Sequence, residues 1–106
     1  MEEIVEEKPL DVYKLVDHYA SQYGVSAEIM HSVIECESNY QTGVQSYHVK
    51  NGVREESYGI VQIHLPSHPH ITKEQALDPE FSIEFMAKHM AEGGAWMWSC
   101  YNMLYS

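Results

Sequence analysis

The sequence predicts a mostly α-helical fold of the α+β class, in which a small helical domain carries one short β-hairpin region. Apolar residues recur at three- and four-residue spacings over 11–23 and 25–40, which is the period of one face of an α-helix. A further helix is expected to begin at Asp78-Pro79, because proline suits the first helical position. Between these helices, residues 44–63 are rich in Val, Ile and Tyr and contain an Asn-Gly dipeptide, which two-residue hairpin turns prefer.

The ends of the predicted helices follow from their capping residues. The first helix is expected to stop at Gly24, and Ser26 is suited to cap a second helix that runs to about Ser38. Thr72 and Gln75 have the spacing of a capping box, which marks the start of another helical segment.

The C-terminal segment is predicted to form one helix over 95–104. A Gly-Gly pair after Glu92 separates it from the preceding helix. Trp96, Cys100 and Leu104 are four residues apart, so we expect them to lie along one side of this last helix.

The length and charge of the chain limit the classes of function. With 106 residues and 44% hydrophobic content, residues 9–106 are expected to form one domain, and the charged residues 1–8 to be disordered. Six basic and sixteen acidic residues give a net charge of −10, which repels nucleic-acid phosphates. No stretch approaches the roughly eighteen apolar residues of a membrane span, and the start MEEIVEEKPL lacks the basic-then-apolar pattern of a secretion signal. We therefore expect a monomer with no cofactor, no nucleic-acid partner and no membrane span.

The two cysteines, Cys36 and Cys100, are far apart in sequence and lack the C-x-x-C spacing of zinc or redox motifs. Packing their two segments together would bring the sulfur atoms within bonding reach. A disulfide is favoured, and it would indicate an oxidising compartment. Two reduced, buried thiols are the alternative.

Glu37 is the carboxylate that falls on the apolar side of the second predicted helix. It follows Val33 by four residues and Ile34 by three, whereas Glu28 and Glu35 fall on the polar side. A carboxyl group at the edge of a core loses hydration, which raises its pKa toward the range of a general acid. The alternative is a helix-end glutamate whose side chain bends out to water.

Three short motifs then occur in an order that resembles a known family. They are E-S-N-Y at 37–40, S-Y-G-I-V-Q-I at 57–63 and C-Y-N at 100–102. Together they resemble the lysozyme-like family of lytic transglycosylases, over roughly residues 11–101. The resemblance implies a lysozyme-like fold whose β region borders a cleft. It also implies an enzyme that cleaves peptidoglycan glycan strands between N-acetylmuramic acid and N-acetylglucosamine, in an extracellular, periplasmic or phage-associated setting.

The same resemblance implies roles for individual residues. Glu37 would be the catalytic acid and base, with Ser38 in a supporting role. The residues expected to bind substrate are Ser57, Tyr58, Gly59, Gln62 and Tyr101. Gly59 would let the backbone approach the sugar, Gln62 would bind an N-acetyl group or support Glu37, and Tyr101 would donate a hydrogen bond to Glu37.

The second carboxylate of animal-type lysozymes is replaced here by Ser57. This absence favours transglycosylation, in which one glutamate serves and the product carries an anhydro sugar. Glu55 and Glu56 precede Ser57, and because side chains alternate along a strand, one of the two would face the cleft. Such a residue would activate water and make the enzyme a hydrolase; Glu56 is therefore kept as a supporting candidate, with a solvated strand as the other interpretation.

Two further classes of protein stay open at this stage. One is a catalytically silent glycan-binding module with the same fold, and the other is a metal- or partner-binding helical domain with chance motif matches. His64, His68 and His70 lie in a proline-broken loop without a carboxylate or cysteine to complete a tetrahedral set. We therefore predict no metal site, and expect these histidines to be solvated or to line a saccharide groove.

Overall fold

Helices dominate residues 11–105, the part of the chain that the computed structural model describes. The elements in chain order are α1 (Val12–Tyr23), α2 (Ala27–Ser38), β1 (Val49–Lys50), β2 (Val53–Arg54), β3 (Ser57–Tyr58), β4 (Ile63–His64), α3 (Lys73–Leu77), α4 (Pro79–Ala91) and α5 (Ser99–Tyr105). Short 3-10 turns cover Leu65–Ser67 and Ala95–Met97. The predicted mostly α, α+β class is confirmed. The predicted disordered segment 1–8 lies outside the described residues.

Capping residues set the ends of the first two helices where the sequence predicts them. α1 ends at Gly24, which has a left-handed φ of 70°. The Ser26 hydroxyl accepts a 3.2 Å hydrogen bond from the Ile29 N–H at the start of α2. α2 ends at Ser38, and the left-handed Asn39 follows as its cap. Glu37 is thereby fixed in the last turn of the helix.

The capping box predicted at Thr72 is present at the start of α3. The Thr72 hydroxyl accepts from the Gln75 N–H, and the Gln75 side chain accepts from the Thr72 N–H. The Asp78 side chain caps α4 in turn, by accepting a 3.0 Å hydrogen bond from the Glu80 N–H.

The helices pack around one buried core, with α1 against both α2 and α4, and α2 against α5. Two tyrosines tie α1 to α4: the Tyr19 hydroxyl donates to Glu80 at 2.8 Å and the Tyr23 hydroxyl donates to Glu84 at 2.9 Å. The largest fully buried side chains are Met30, Ile34, Ile60, Ile63, Ile83, Met86, Val16, Val33 and Val61. The residues of the β3–β4 segment therefore help to build the helical core.

The β region consists of two small antiparallel hairpins, where the sequence suggested one. The Asn51-Gly52 turn joins β1 to β2, and both residues have positive φ, as the predicted turn requires. The second hairpin pairs Ser57 with His64 and Tyr58 with Ile63. It forms because the apolar residues between its strands enter the core, which bends the chain back on itself.

The C-terminal segment differs from the single helix that was predicted. Trp98 has an extended backbone, with φ −97° and ψ 119°, and it separates the Ala95–Met97 turn from α5. Trp96 and Cys100 lie on opposite sides of this break and no longer share a face, so Trp96 is exposed while Cys100 is buried. The predicted common side of Trp96, Cys100 and Leu104 is therefore wrong for Trp96, whereas Cys100 and Leu104 remain four residues apart on α5.

Among residues 11–105, the structure contains no helix that is both long and apolar enough to span a membrane.

Candidate active site

Two adjoining cavities meet at Glu37. They have volumes of about 550 Å³ and about 620 Å³. Both are lined by Glu37, Glu55, Gln62 and Ser99, so they form one groove with these residues at its middle. A groove of this size on a small domain suits an extended ligand.

The two halves of the groove differ in chemistry. The first half has an apolar wall made of Ile63, Phe85, Trp96, Met97 and Trp98. The second half has no such aromatic wall, and its lining includes the polar side chains Ser38, Asn39, Gln41, Gln45 and Ser46. A ligand that spans Glu37 would thus meet aromatic rings on one side and several hydrogen-bonding groups on the other.

Glu37 is half-buried in the groove, and its carboxylate is oriented by a backbone amide. Its Oε2 atom accepts a 3.1 Å hydrogen bond from the Cys100 N–H at the start of α5. Burial raises the pKa of the Glu37 carboxyl above its ordinary value; the Cys100 hydrogen bond opposes the rise and the negative charge of Glu55 adds to it. A carboxyl group in this state can hold a proton for transfer to a ligand in the groove.

The Cys36–Cys100 disulfide is present, with the two Cα atoms 5.9 Å apart. Cys36 immediately precedes Glu37, and Cys100 supplies the N–H that Glu37 accepts. The disulfide therefore joins α2 and α5 next to the hydrogen bond that orients the carboxylate.

Glu55 is the member of the Glu55-Glu56 pair that lies in the groove. It lines both cavities, whereas Glu56 is exposed and lines neither. The backbone holds Glu55 in place, because its N–H donates to the His48 carbonyl at 2.8 Å and its carbonyl accepts from Gln45 at 3.0 Å. Of the two glutamates considered for the cleft, Glu55 therefore lies in the groove and Glu56 does not.

Ser57 and Gln62, two of the residues expected to bind substrate, both line the groove. Ser57 is only 3% exposed and lies in the first half. Gln62 has a left-handed φ of 56°, and its side-chain amide donates to the Gly59 carbonyl at 2.9 Å and to the Val44 carbonyl at 3.3 Å. Its N–H groups therefore close the β3–β4 turn, which leaves its carbonyl oxygen as the group that a ligand could use.

The structure requires a glycine at position 59 for a reason other than the one that the sequence suggested. Its φ is +84°, and a Cβ atom added there would lie 1.9 Å from the Ala76 carbonyl oxygen. Gly59 thus allows the hairpin to approach the backbone of α3, and it does not line either cavity of the groove. The glycine is thus required by contact with a backbone segment that is distant in sequence, and its expected approach to sugar stays a prediction.

Ser38 connects the helix that carries Glu37 to the β3–β4 turn. Its hydroxyl donates a 2.6 Å hydrogen bond to the Ile60 carbonyl and lies 3.4 Å from the Ile34 carbonyl. Ser38 thus makes a structural contact beside Glu37, and its supporting role in catalysis stays a prediction.

Tyr58 and Tyr101 lie away from the groove. Tyr58 is buried in the core, and Lys73 Nζ lies 5.0 Å from the centre of its ring. Tyr101 stacks on Tyr105 with ring centres 5.4 Å apart. The Cys100 N–H makes the hydrogen bond to Glu37 that the sequence assigned to the Tyr101 hydroxyl.

Sequence reasoning missed the aromatic wall of the first half of the groove. Trp98 is 4% exposed and its indole N–H donates a 2.8 Å hydrogen bond to the Val61 carbonyl, which fixes the C-terminal segment against the β3–β4 turn. Trp96 is 68% exposed at the groove. The sequence W-M-W at 96–98 shows that two tryptophans lie close together. The chain leaves the helical conformation at Trp98, so helical spacing could not predict which of the two rings is exposed.

Two of the three loop histidines, His64 and His68, line the first half of the groove, and His70 does not. Burial lowers the pKa of His68, and the nearby His89, His70 and His64 lower it further. Within residues 11–105, no group of three His, Cys, Asp or Glu side chains is arranged to hold a metal ion.

Comparison with known proteins identifies the family of the chain. Residues 14–97 match the Transglycosylase SLT domain family, which covers most of the 106 residues. The chain matches no curated protein and no solved structure at a significant level. The family match supports a lytic transglycosylase-like function that acts on peptidoglycan in general. The chain therefore belongs to the Transglycosylase SLT domain family, the lysozyme-like lytic transglycosylase domains.

Proposed function

We propose that this domain is a lytic transglycosylase that cleaves peptidoglycan between N-acetylmuramic acid and N-acetylglucosamine, with Glu37 as its catalytic acid and base. The observation that carries this proposal is the half-buried Glu37 carboxyl, which has a raised pKa and lies at the middle of the groove. Cleavage of a glycosidic bond needs an acid that protonates the leaving oxygen, and Glu37 is suited to that task.

The reaction then uses the same carboxyl group twice. Glu37 first donates its proton to the bridging oxygen as the bond from this oxygen to C1 of the muramoyl sugar breaks. As a carboxylate, it next removes the proton of the C6 hydroxyl, and the C6 oxygen bonds to C1. The product is a 1,6-anhydromuramoyl end, no water is consumed, and Glu37 regains its proton.

The stabilisation of positive charge at C1 falls to the substrate in this mechanism. Ser57 lines the groove, and in the motif it stands at the position that carries the second acid in animal-type lysozymes, which use a two-carboxylate mechanism. The acetamido group of the substrate would stabilise the positive charge at C1 instead. The Gln62 side chain lines the same groove and could contact this group.

Hydrolysis is the second candidate, because Glu55 lines both halves of the groove beside Glu37. In that reaction Glu55 would act as the base that activates a water molecule, and the product would carry a reducing end. The two reactions consume different nucleophiles, so their products differ by one molecule of water.

Digestion of purified peptidoglycan in isotopically labelled water tests the proposal. Mass spectrometry of the released fragments should find anhydro ends without the label. Reducing ends that carry the label would support hydrolysis through Glu55. The absence of released fragments at every pH, from a folded protein, would contradict both reactions and favour a silent glycan-binding module.

The site of action proposed here is outside the cytoplasm, in the periplasm, the extracellular space or a phage-associated setting. Two observations support it: the substrate class of the family lies in the cell wall, and disulfides such as Cys36–Cys100 persist in oxidising compartments.

A further inference from the structure

The Cys36–Cys100 disulfide and the Glu37 carboxylate form one connected unit. Cys36 is the residue before Glu37 on α2, and Cys100 on α5 donates its backbone N–H to Glu37 Oε2 at 3.1 Å. Two links therefore connect the start of α5 to the end of α2: the covalent bond between the two sulfur atoms and the hydrogen bond from the Cys100 amide to the Glu37 carboxylate.

We propose that the Cys36–Cys100 disulfide is a positioning device for catalysis, which holds the Cys100 N–H against Glu37 and makes the activity depend on the oxidised state of this bond. This inference rests on the proposed role of Glu37. Cys100 does not react with substrate; it acts through the carboxylate that it orients.

The position of α5 explains why this contact needs a covalent support. α5 has only seven residues, so its attachments to the rest of the fold decide where its first amides lie. Trp98, just before α5, is held by the hydrogen bond from its indole N–H to the Val61 carbonyl. Cys100, within α5, is joined to α2 by the disulfide. Helices of this length are marginal without tertiary support, so release of the sulfur would let the first turn of α5 move away from Glu37.

The chemistry of release is accessible from solvent. Cys36 is exposed and lines the second half of the groove, whereas Cys100 is buried. The thiolate of a dithiol reductant can attack Cys36 Sγ, which breaks the sulfur–sulfur bond and releases Cys100 as a thiolate. The second thiol of the reductant then displaces Cys36. The protein gains two thiols, and the reductant leaves as a cyclic disulfide.

Loss of the amide should change both the rate and its pH dependence. The Cys100 N–H favours the charged form of Glu37, so its removal raises the pKa of Glu37 further. The other titratable groups along the groove are Glu35, Tyr47, His48, Glu55, His64 and His68, and the negative charge of Glu55 adds to the rise in the pKa of Glu37. All of them are present in both redox states, whereas the amide contact depends on the disulfide.

The test compares the oxidised protein, the protein reduced with dithiothreitol, and the double variant Cys36→Ala/Cys100→Ala. Each is assayed for peptidoglycan release across pH, at a temperature at which circular dichroism shows it folded. We expect the reduced protein and the variant to be at least tenfold slower, with the fall in rate that accompanies rising pH displaced to higher pH. Reoxidation should restore the activity of the reduced protein. Dithiothreitol should leave the activity of the double variant unchanged, which controls for other effects of the reductant.

Reduced protein that is folded, keeps its rate within twofold and shows the same pH profile would overturn the proposal. So would a reduced chain that is unfolded at every temperature, since the bond would then support the whole fold and not this contact. If the oxidised protein releases no fragments, the proposed function fails, and the Glu37 carboxyl is titrated by NMR in both states instead. A higher pKa on reduction would support the positioning role, and an unchanged pKa would refute it.

Discussion

The Ser38 hydroxyl donates a hydrogen bond of 2.6 Å to the carbonyl of Ile60. Ser38 belongs to the E-S-N-Y motif and Ile60 to the S-Y-G-I-V-Q-I motif, which are separated by a hairpin and two loops. The contact therefore joins the helix end that carries Glu37 to the turn that carries Gln62. It converts two separate sequence motifs into one wall of the groove.

Replacement of Ser38 by Ala should lower the free energy of unfolding by about 1–2 kcal/mol, because the carbonyl of the buried Ile60 loses its donor. Ser32→Ala is a matched control: the Ser32 hydroxyl donates within α2 to the Glu28 carbonyl and reaches no other element. Urea unfolding should show a much smaller effect for the control. Equal losses for the two variants would mean that the contact with Ile60 adds nothing.

Replacement of Gly59 by Ala should destabilise the fold by roughly 3 kcal/mol, from left-handed backbone strain and from overpacking against α3. Gly52→Ala is the comparison, because Gly52 has a similar φ of +78° and open space around it. Strain alone should apply there, at about 1 kcal/mol. Thermal unfolding of both variants measures the difference, and a Gly59 variant as stable as the Gly52 variant would show that the approach to Ala76 is relaxed at little cost.

The pH dependence of the activity should follow the protonation of Glu37. The acid step needs the protonated carboxyl, and burial raises its pKa, so the rate should fall as pH rises through that raised value. The profile of kcat/KM against pH measures this limb. A rate that falls only around the ordinary pKa of a glutamate would contradict the raised value.

The same shift has a consequence for stability. A carboxyl whose pKa is raised by folding stabilises the folded state below its ordinary pKa, and this contribution is lost as pH rises through the raised value. Glu37→Gln should therefore gain stability relative to the native protein at pH above the raised pKa, and should lose this advantage as pH falls below the ordinary pKa of a glutamate. Urea unfolding of the two proteins across pH measures the difference, and a difference that does not change with pH would contradict the raised pKa.

Local signals account for what the sequence could predict. The ends of α1 and α2 follow from Gly24 and Ser26, and helical spacing alone puts Glu37 at the edge of the core. Contacts between distant segments account for the rest. The break at Trp98 accompanies its indole hydrogen bond to Val61, which overrides helical propensity, and no spacing rule indicates such a partner.

The Glu37 partner was missed for a related reason. A backbone amide carries no sequence signal, so the sequence pointed to the hydroxyl of Tyr101, one residue beyond the amide that makes the hydrogen bond. The approach of Gly59 to Ala76 was hidden in the same way, because a glycine near a motif looks equally suited to ligand and to backbone.

Trp96 provides an exposed ring at the apolar wall of the groove, where it can cover one face of a sugar. Trp96→Ala should raise KM by about five- to thirtyfold, which corresponds to the loss of roughly 1–2 kcal/mol of apolar burial on binding. Met103→Ala removes a similarly exposed apolar side chain that lines neither half of the groove, and should leave KM unchanged. Steady-state kinetics on soluble glycan fragments measures both, and an unchanged KM for Trp96→Ala would remove this ring from the binding surface.

The rate of anhydro-end formation in Glu37→Gln and Glu55→Gln tests the one-glutamate mechanism most directly. Both substitutions keep the shape of the side chain and remove its acid, and Glu28→Gln serves as the control on the same helix as Glu37. We expect Glu37→Gln to lose about 100- to 10,000-fold in kcat, the usual contribution of a general acid, while Glu55→Gln stays within several-fold of the native rate. A folded Glu37→Gln protein that retains most of its activity, or a Glu55→Gln protein that is equally inactive, would contradict the assignment of Glu37 as the one catalytic acid and base.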